Sequence, residues 1–385
     1  MNKLTDDMLH KHKIRAGMIG GGEGAFFASY HRAAMRLCNQ FELVAGTFSS
    51  DLERNKRSGI ALGIDSERCY KNYNEMLEKE KNRDDKIDVV IIVTPNYLHF
   101  EPCKKFIEAG FAVICDKPLV NSTNEALILK ELVEEKGTFF AVTYTYTGYP
   151  MVRDARARIK NGEIGEVRFL YVEYLFDWLA YEEKHVGNSY SWRSDPLKAG
   201  PTGALGDIGT HAFNILEYVS GLNCTELNAT LISQTDGWSL DDSNILQLKF
   251  ESNAHGILWS SLAAPGHRNG LKFKIVGTKA SLEWKQEEPE KLHVVQLGHA
   301  DLIYRRGNLD MTEIGKLNSS LPAGNPEGYL EALANLYSDY AEAISKGLGS
   351  SNSFITGIDD GVRGVYLSEI SIHSHQQKKW IKFNI

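Results

Sequence analysis

The stretch IRAGMIGGGEGAFFASYHRAAMRL, Ile14 to Leu37, decides how this chain folds. It opens as a strand-like apolar run, turns through a cluster of glycines and continues with apolar residues at helical spacing. Gly20, Gly22 and Ala25 satisfy G-x-G-x-x-G/A, with a strand before and a helix after, the context that spacing requires. There the first glycine permits a tight turn and the second lets a pyrophosphate approach the backbone. The small third residue lets the helix pack close to the sheet, and Glu23 lies inside the turn. The competing reading is a glycine-rich turn with a structural role only.

The pattern repeats outward from this stretch. FELVAGTF (41–48), IDVVIIVT (87–94), FAVICD (111–116) and FFAVTY (139–144) are further short β-rich runs. Helical patterns lie between them at YNEMLEKEK, HFEPCKKFIEAG and NEALILKELVEEKG, two of which end on a glycine placed as a C-cap. Apolar strands alternating with helices predict a doubly wound parallel sheet covered on both faces. The texture changes after about Tyr149. MVRDARARIKNG reads as a helix and EVRFLYVEYLF as a strand. From Thr225 to about Tyr304, β runs are separated by turn residues, which predicts an antiparallel sheet. GYLEALANLYSDYAEAISKG and DDGVRGVYLSEISIHSHQ read as late helices. The fold class is α/β: a Rossmann domain over 1–148, then an α+β domain with a large, mostly antiparallel open sheet over 149–385. The final helix is left able to pack back on the first domain.

Length and composition narrow the function. At 385 residues, two domains are expected. The net charge is −7 and no Lys/Arg-rich run could track a phosphate backbone, which argues against nucleic acid. The five cysteines are scattered without metal spacing, so no metal is expected and the thiols read as reduced, in the cytoplasm. The N-terminus lacks the apolar core of a signal peptide, and no run approaches the ~20 apolar residues of a membrane span.

The second strand ends on Thr47, Phe48, Ser49 and Ser50, followed by Arg54, Lys56 and Arg57. An NAD-preferring site would usually place an acid here for the ribose 2′-hydroxyl. Hydroxyls plus a cation suit a 2′-phosphate, so the tip leans to NADP or dual use. The alternative is a solvated helix start in which Ser50 or Asp51 is an N-cap. Two further strand ends carry VTPNYLH, Val93 to His99, and CDKPL, Cys115 to Leu119. Ligands of open parallel sheets lie beyond the carboxyl ends of the strands. Thr94, Pro95, Asn96, His99, Asp116 and Lys117 are therefore cofactor-side candidates, against ordinary readings as a helix-initiating turn and a salt-bridge corner.

AGMIGGGEGA, VTPNYLH, CDKPL and GALGDIGTH, in this order, resemble the glucose–fructose oxidoreductase and inositol dehydrogenase family, Gfo/Idh/MocA. The resemblance implies a Rossmann domain and an open, mainly antiparallel α/β domain whose sheet often mediates homodimers or homotetramers. The family's E-K-P lysine maps onto Lys117, with Asp116 in place of Glu, and its D-x-x-x-H pair onto Asp207 and His211. YTGYPMVRDARARIKNGEIGEVR with SWRSDP is similar to sugar and cyclitol dehydrogenases. On this reading His211 is the general base, Asp207 holds the imidazole or a substrate hydroxyl, and Lys117 polarises the reacting oxygen. The plainer alternative makes Asp207 an N-cap and His211 a packed histidine. Trp192 and Arg193 could bind a sugar, against readings as packing and a surface ion pair. Tyr146, Tyr149 and Arg153 follow the last Rossmann strand where substrate should lie, though aromatic residues there more often pack; Trp178 is a further candidate. His31 is expected to pack. A dinucleotide-binding sensor, or an enzyme recycling a tightly held nicotinamide, are the competing functions.

Overall fold

The computed structural model describes residues 13–182, 192–347 and 354–385. They divide into two compact units. In the first, strands β1 (Ile14–Gly20), β2 (Phe41–Thr47), β3 (Val89–Val93), β4 (Ala112–Asp116) and β5 (Phe140–Thr143) form a parallel sheet in the order β2-β1-β3-β4-β5. These are the apolar runs expected from the sequence, and most of their residues are buried because helices cover both faces. The helices are α1 (Phe26–Cys38), α2 (Leu52–Ala61), α3 (Tyr73–Glu80), α4 (Phe100–Glu108) and α5 (Thr123–Lys136). Register brings the carboxyl ends together: Gly20 pairs with Val93, Cys115 with Ile92 and Asp116 with Thr143.

The second unit is built on a nine-stranded sheet. Its strands are β6 (Val167–Leu175), β7 (Cys224–Ile232), β8 (Ser243–Phe250), β9 (His255–Ser261), β10 (Gly270–Gly277), β11 (Ala280–Lys285), β12 (Lys291–Gln296), β13 (Leu302–Arg305) and β14 (Ile381–Lys382). The order is β13-β12-β11-β10-β6-β9-β8-β7-β14, antiparallel except for the β6–β9 pair. One face is apolar and buried, with Leu170, Val172, Leu258, Phe273 and Ile275 inward. Helices α6 (Pro150–Lys160) and α9 (Thr210–Ser220) lie over it, and α7 (Trp178–Glu182), α8 (Pro196–Ala199) and α10 (Glu313–Leu317) are single turns. The other face leaves Phe169, Ile245 and Trp259 exposed.

The long helix α11 (Tyr329–Ser345) corrects the expected boundaries. It belongs to the first unit, which ends at Thr145 and then takes up Tyr329–Val362. Its apolar stripe supplies Leu333, Leu336, Tyr337 and Tyr340 to the core around β1, α1 and β2. Tyr337 meets Phe41 edge-on at 5.2 Å, and Tyr340 meets Phe139 at 5.9 Å. Each such buried side chain contributes about 1.5–3 kcal/mol, so this return is a main part of the first unit's core. The last long helix, α12 (Ile358–Gln377), starts in the first unit and continues in the second from Arg363.

Candidate active site

The glycine turn is built by close approach and by left-handed backbone. Gly20, Gly21 and Gly24 have φ of 87°, 81° and 82°. A Cβ on Gly22 would stand 2.7 Å from the Phe48 carbonyl oxygen and 2.9 Å from Ser58 Oγ, so β2 and α2 crowd this position. A Cβ on Gly21 would meet Ala28 at 2.6 Å, and the tight helix contact therefore falls on Gly21 rather than on Ala25, which is half-exposed at the N-cap of α1. No side chain caps α1 and no acid stands in its first turn. Its amides and dipole are left for an anion. A cavity of about 600 Å³ opens there, lined by Gly21 to Phe26 and by Arg32, Arg57 and Ser58. Glu23, at its rim, lies 3.4 Å from Arg57. At the tip of β2, Arg54 Nε donates to Ser49 Oγ at 2.8 Å, while Ser50 is simply exposed. Asp51 caps α2 by accepting the Arg54 amide at 2.7 Å.

The ends of β3 and β4 are tied by His99. Its Nε2 lies 2.8 Å from the Thr94 carbonyl, and its Nδ1 lies 3.0 and 3.1 Å from those of Pro118 and Leu119. His99 is fully buried, which corrects its expected role: it holds two loops and does not face a cofactor. The Lys117–Pro118 peptide is cis. Asp116 Oδ1 accepts the Lys117 amide at 2.9 Å. Behind it, His31 packs as expected, with Nδ1 2.8 Å from the Tyr337 hydroxyl and Nε2 3.9 Å from Asp116 Oδ2. Burial holds the His31 imidazole below its ordinary value, against the pull of Asp116. Thr94, Pro95 and Asn96 are half-exposed, and Thr94 Oγ1 is a buried hydroxyl without a hydrogen-bond partner among the described residues. A dinucleotide fits this edge: open amides, a cavity, and an orphaned hydroxyl beside Gly20.

In the second unit, Asp207 and His211 stand on one continuous helical run, entered through a π-helical turn, Leu205–Gly209, where a plain α-helix was expected. Such turns insert a residue and recur at functional sites. The start is held from outside. Asp241 Oδ1 accepts the Gly203 amide at 2.6 Å, Oδ2 accepts that of Leu205 at 2.9 Å, and its backbone carbonyl accepts that of Ala204 at 2.8 Å. Asn244 Nδ2 donates to Asp241 Oδ2 at 3.1 Å, while Asn244 Oδ1 accepts from Ser260 Oγ at 2.8 Å. Burial pushes the Asp241 carboxyl up, while the Leu205 and Gly203 amides oppose the shift. Gly203 has no room for a Cβ, which would lie 2.3 Å from the Asp241 carbonyl oxygen. Asp207 is half-exposed; His211 is 8% exposed, walled by Tyr146 at 5.0 Å and Tyr174 at 6.3 Å between ring centroids.

Comparison with known proteins now adds to this geometry. Residues 14–144 match the oxidoreductase family with an NAD-binding Rossmann fold, GFO/IDH/MocA, and residues 152–283 match the GFO/IDH/MocA C-terminal domain. The oxidoreductase YfiI of Bacillus subtilis is 34% identical over 99% of both chains. The chain belongs to the GFO/IDH/MocA oxidoreductases. A crystal structure of an inositol dehydrogenase homologue from Azotobacter vinelandii, complexed with NAD+, is 33% identical over 97% of this chain and 98% of its own, with a TM-score of 0.90. A second structure of that homologue holds NADH and myo-inositol. Levoglucosan dehydrogenase of Pseudarthrobacter phenanthrenivorans is 28% identical over 77% of this chain and 80% of its own.

Not every candidate in this GFO/IDH/MocA oxidoreductase is built to meet a ligand. Arg153 is fully buried, donating to the Thr147 carbonyl at 3.0 Å and to Asn318 Oδ1 at 2.6 Å. Tyr149 is buried too, stacked on Tyr146 and tilted against Trp284 at 5.2 Å. Both are corrected from substrate contacts to packing. Trp192 carries the Arg193 guanidinium 4.2 Å above its ring, so one indole face is covered. Trp178 packs edge-on against Trp238 at 6.0 Å. The sequence reading missed Asp241, Asn244, Tyr174 and Asn269. Two signals pointed to them: the acid pair Asp241-Asp242 between apolar runs, and Asn269-Gly270, a dipeptide suited to left-handed backbone.

Proposed function

We propose that this oxidoreductase is an NAD(P)-dependent dehydrogenase of a sugar, sugar derivative or inositol-like polyol, acting on a CH–OH group. The observation that carries the reading is His211, a nearly buried imidazole packed against two tyrosine rings, one turn after half-exposed Asp207. When bound, nicotinamide supplies the hydride acceptor. His211 removes the hydroxyl proton, Asp207 holds the imidazole or a neighbouring hydroxyl, and Lys117 stabilises the alkoxide-like oxygen. The GFO/IDH/MocA relatives support the substrate class: one is named for levoglucosan, and the A. vinelandii homologue binds myo-inositol.

The Ser49–Arg54 pair, with Asp51 engaged as a cap, supports NADP or dual use. The apolar residues Phe169, Ile245 and Trp259, exposed by about two fifths, support a homodimer or homotetramer through the outer sheet face. Five free thiols support a reducing compartment, the cytoplasm.

The test is nicotinamide reduction with NAD and NADP separately, across inositols, aldoses and glycosides. Wild type is compared with Lys117→Ala and His211→Ala. Turnover in wild type with losses on the order of 10²–10⁴-fold in both variants is expected. An active His211→Ala overturns the base assignment, and dinucleotide binding without any turnover favours a sensor.

A further inference from the structure

Tyr146, Tyr174 and Asn269 close a ring of hydrogen bonds in the second unit. The Tyr174 hydroxyl donates to Asn269 Oδ1 at 2.5 Å. The two tyrosine hydroxyls are 2.5 Å apart, and since the Tyr174 proton is engaged by Asn269, Tyr146 is the donor of that pair. Asn269 Nδ2 then donates back to the Tyr146 oxygen at 3.4 Å. Each group gives one proton and receives one around the ring. The three residues come from separate places: the turn before α6, the end of β6 and the loop before β10.

Two facts separate this ring from ordinary packing. Asn269 holds φ at +69°, a left-handed conformation that costs any residue with a Cβ more than glycine. Both tyrosine rings, each under 5% exposed, also form the wall of His211, with Tyr146 edge-to-face at an interplanar angle of 85°. A phenol anchored at its hydroxyl cannot swing, so the imidazole beside it has one pocket shape to fill.

We propose that Asn269 is a positioning residue for His211, locking the two tyrosines that hold the imidazole in its reactive orientation. The proposal rests on the reading of His211 as the base. Small misplacements of a catalytic group cost on the order of tenfold to a hundredfold in rate.

The decisive variant is Asn269→Gly. Glycine takes a φ of +69° without strain, so an asparagine serving only the turn would leave kcat unchanged. Positioning instead predicts kcat about tenfold lower or more, KM near wild type and a Tm not below it. Asn269→Asp keeps the acceptor for Tyr174 but loses the Nδ2 donor, and should fall between the two. Tyr174→Phe opens the same ring, so its loss and that of Asn269→Gly should not multiply in the double variant. Unchanged kcat in Asn269→Gly, a fall in kcat accompanied by a fall in Tm, or multiplying losses each overturn the proposal. His211→Ala is measured alongside. If it is active, the base assignment fails; if it is inactive while Asn269→Gly is unimpaired, only the positioning role fails.

Discussion

The chain contains two glycine-rich helix starts, and they are finished in opposite ways. At Gly20 to Ala25, the amides of α1 have no side-chain cap and no nearby acid in the first turn. At Gly200 to Gly209, three successive amides donate to one buried residue, Asp241. A helix N-terminus is a cationic site by construction. In the first unit the protein leaves it open, which suits it to an anion from outside. In the second the protein supplies the anion itself, and the same local chemistry becomes a rigid mount for Asp207 and His211. Glycine patterns alone therefore do not separate a ligand site from a scaffold; the presence of an internal carboxylate does.

Opening the closed end has the largest expected effect. Asp241→Ala leaves the Gly203 and Leu205 amides without their acceptor, and a loss of about 3 kcal/mol in urea unfolding is expected from such unsatisfied groups. A variant as stable as wild type would mean the turn is held by something else. Closing the open end comes next. Ala25 already has the extended backbone of an N-cap, so Ala25→Asp should stabilise the free protein by about 1 kcal/mol. Its carboxylate would also compete with a pyrophosphate, weakening dinucleotide affinity on the order of tenfold to a hundredfold in titration calorimetry. Unweakened binding would show that the α1 amides do not hold phosphate.

Two smaller effects sharpen the open end. Arg54→Ala should lower the ratio of kcat/KM for NADP over NAD by about tenfold, and an unmoved ratio removes the 2′-phosphate assignment. His31, just behind Asp116, gives a pH signature. Its folded pKa lies below 6.5, so below that pH the unfolded chain binds the proton more readily. Stability is therefore full above pH 6.5 and declines as pH falls beneath it, by at most about 1.4 kcal/mol per pH unit. His31→Asn should flatten that part of the melting-temperature profile. An unchanged slope would assign the acid sensitivity to other groups.

What the sequence made legible follows from range. The five strands of the first sheet, the glycine turn and the Lys117 strand end are local patterns, readable because apolar runs and turn residues occur within a few positions. The assignment of α11 to the first unit was not, since its stripe fits any apolar surface and nothing local names Phe41 and Phe139 as partners. His99 looked like a ligand because strand-end histidines face outward in pattern alone, whereas burial turned both its nitrogens onto carbonyls. Arg153 was misread for the same reason: a long cationic side chain gives no sign in sequence that Asn318 will receive it. Asp241 meets the helix start, and Asn269 the two tyrosines, across gaps of 36 to 123 residues, beyond any spacing rule.

The placement of α11 also has a consequence for how the chain is made. The first sheet is complete once Phe140–Thr143 has emerged, but the helix that covers its core arrives only with Tyr329–Ser345. About 200 further residues must be translated in between, which at ordinary rates takes roughly 10–40 s. Throughout that interval the apolar surface destined for Tyr337 and Tyr340 has no cover on the ribosome. A nascent chain arrested after residue 145 is thus expected to engage general chaperones, and one released after residue 385 to escape them.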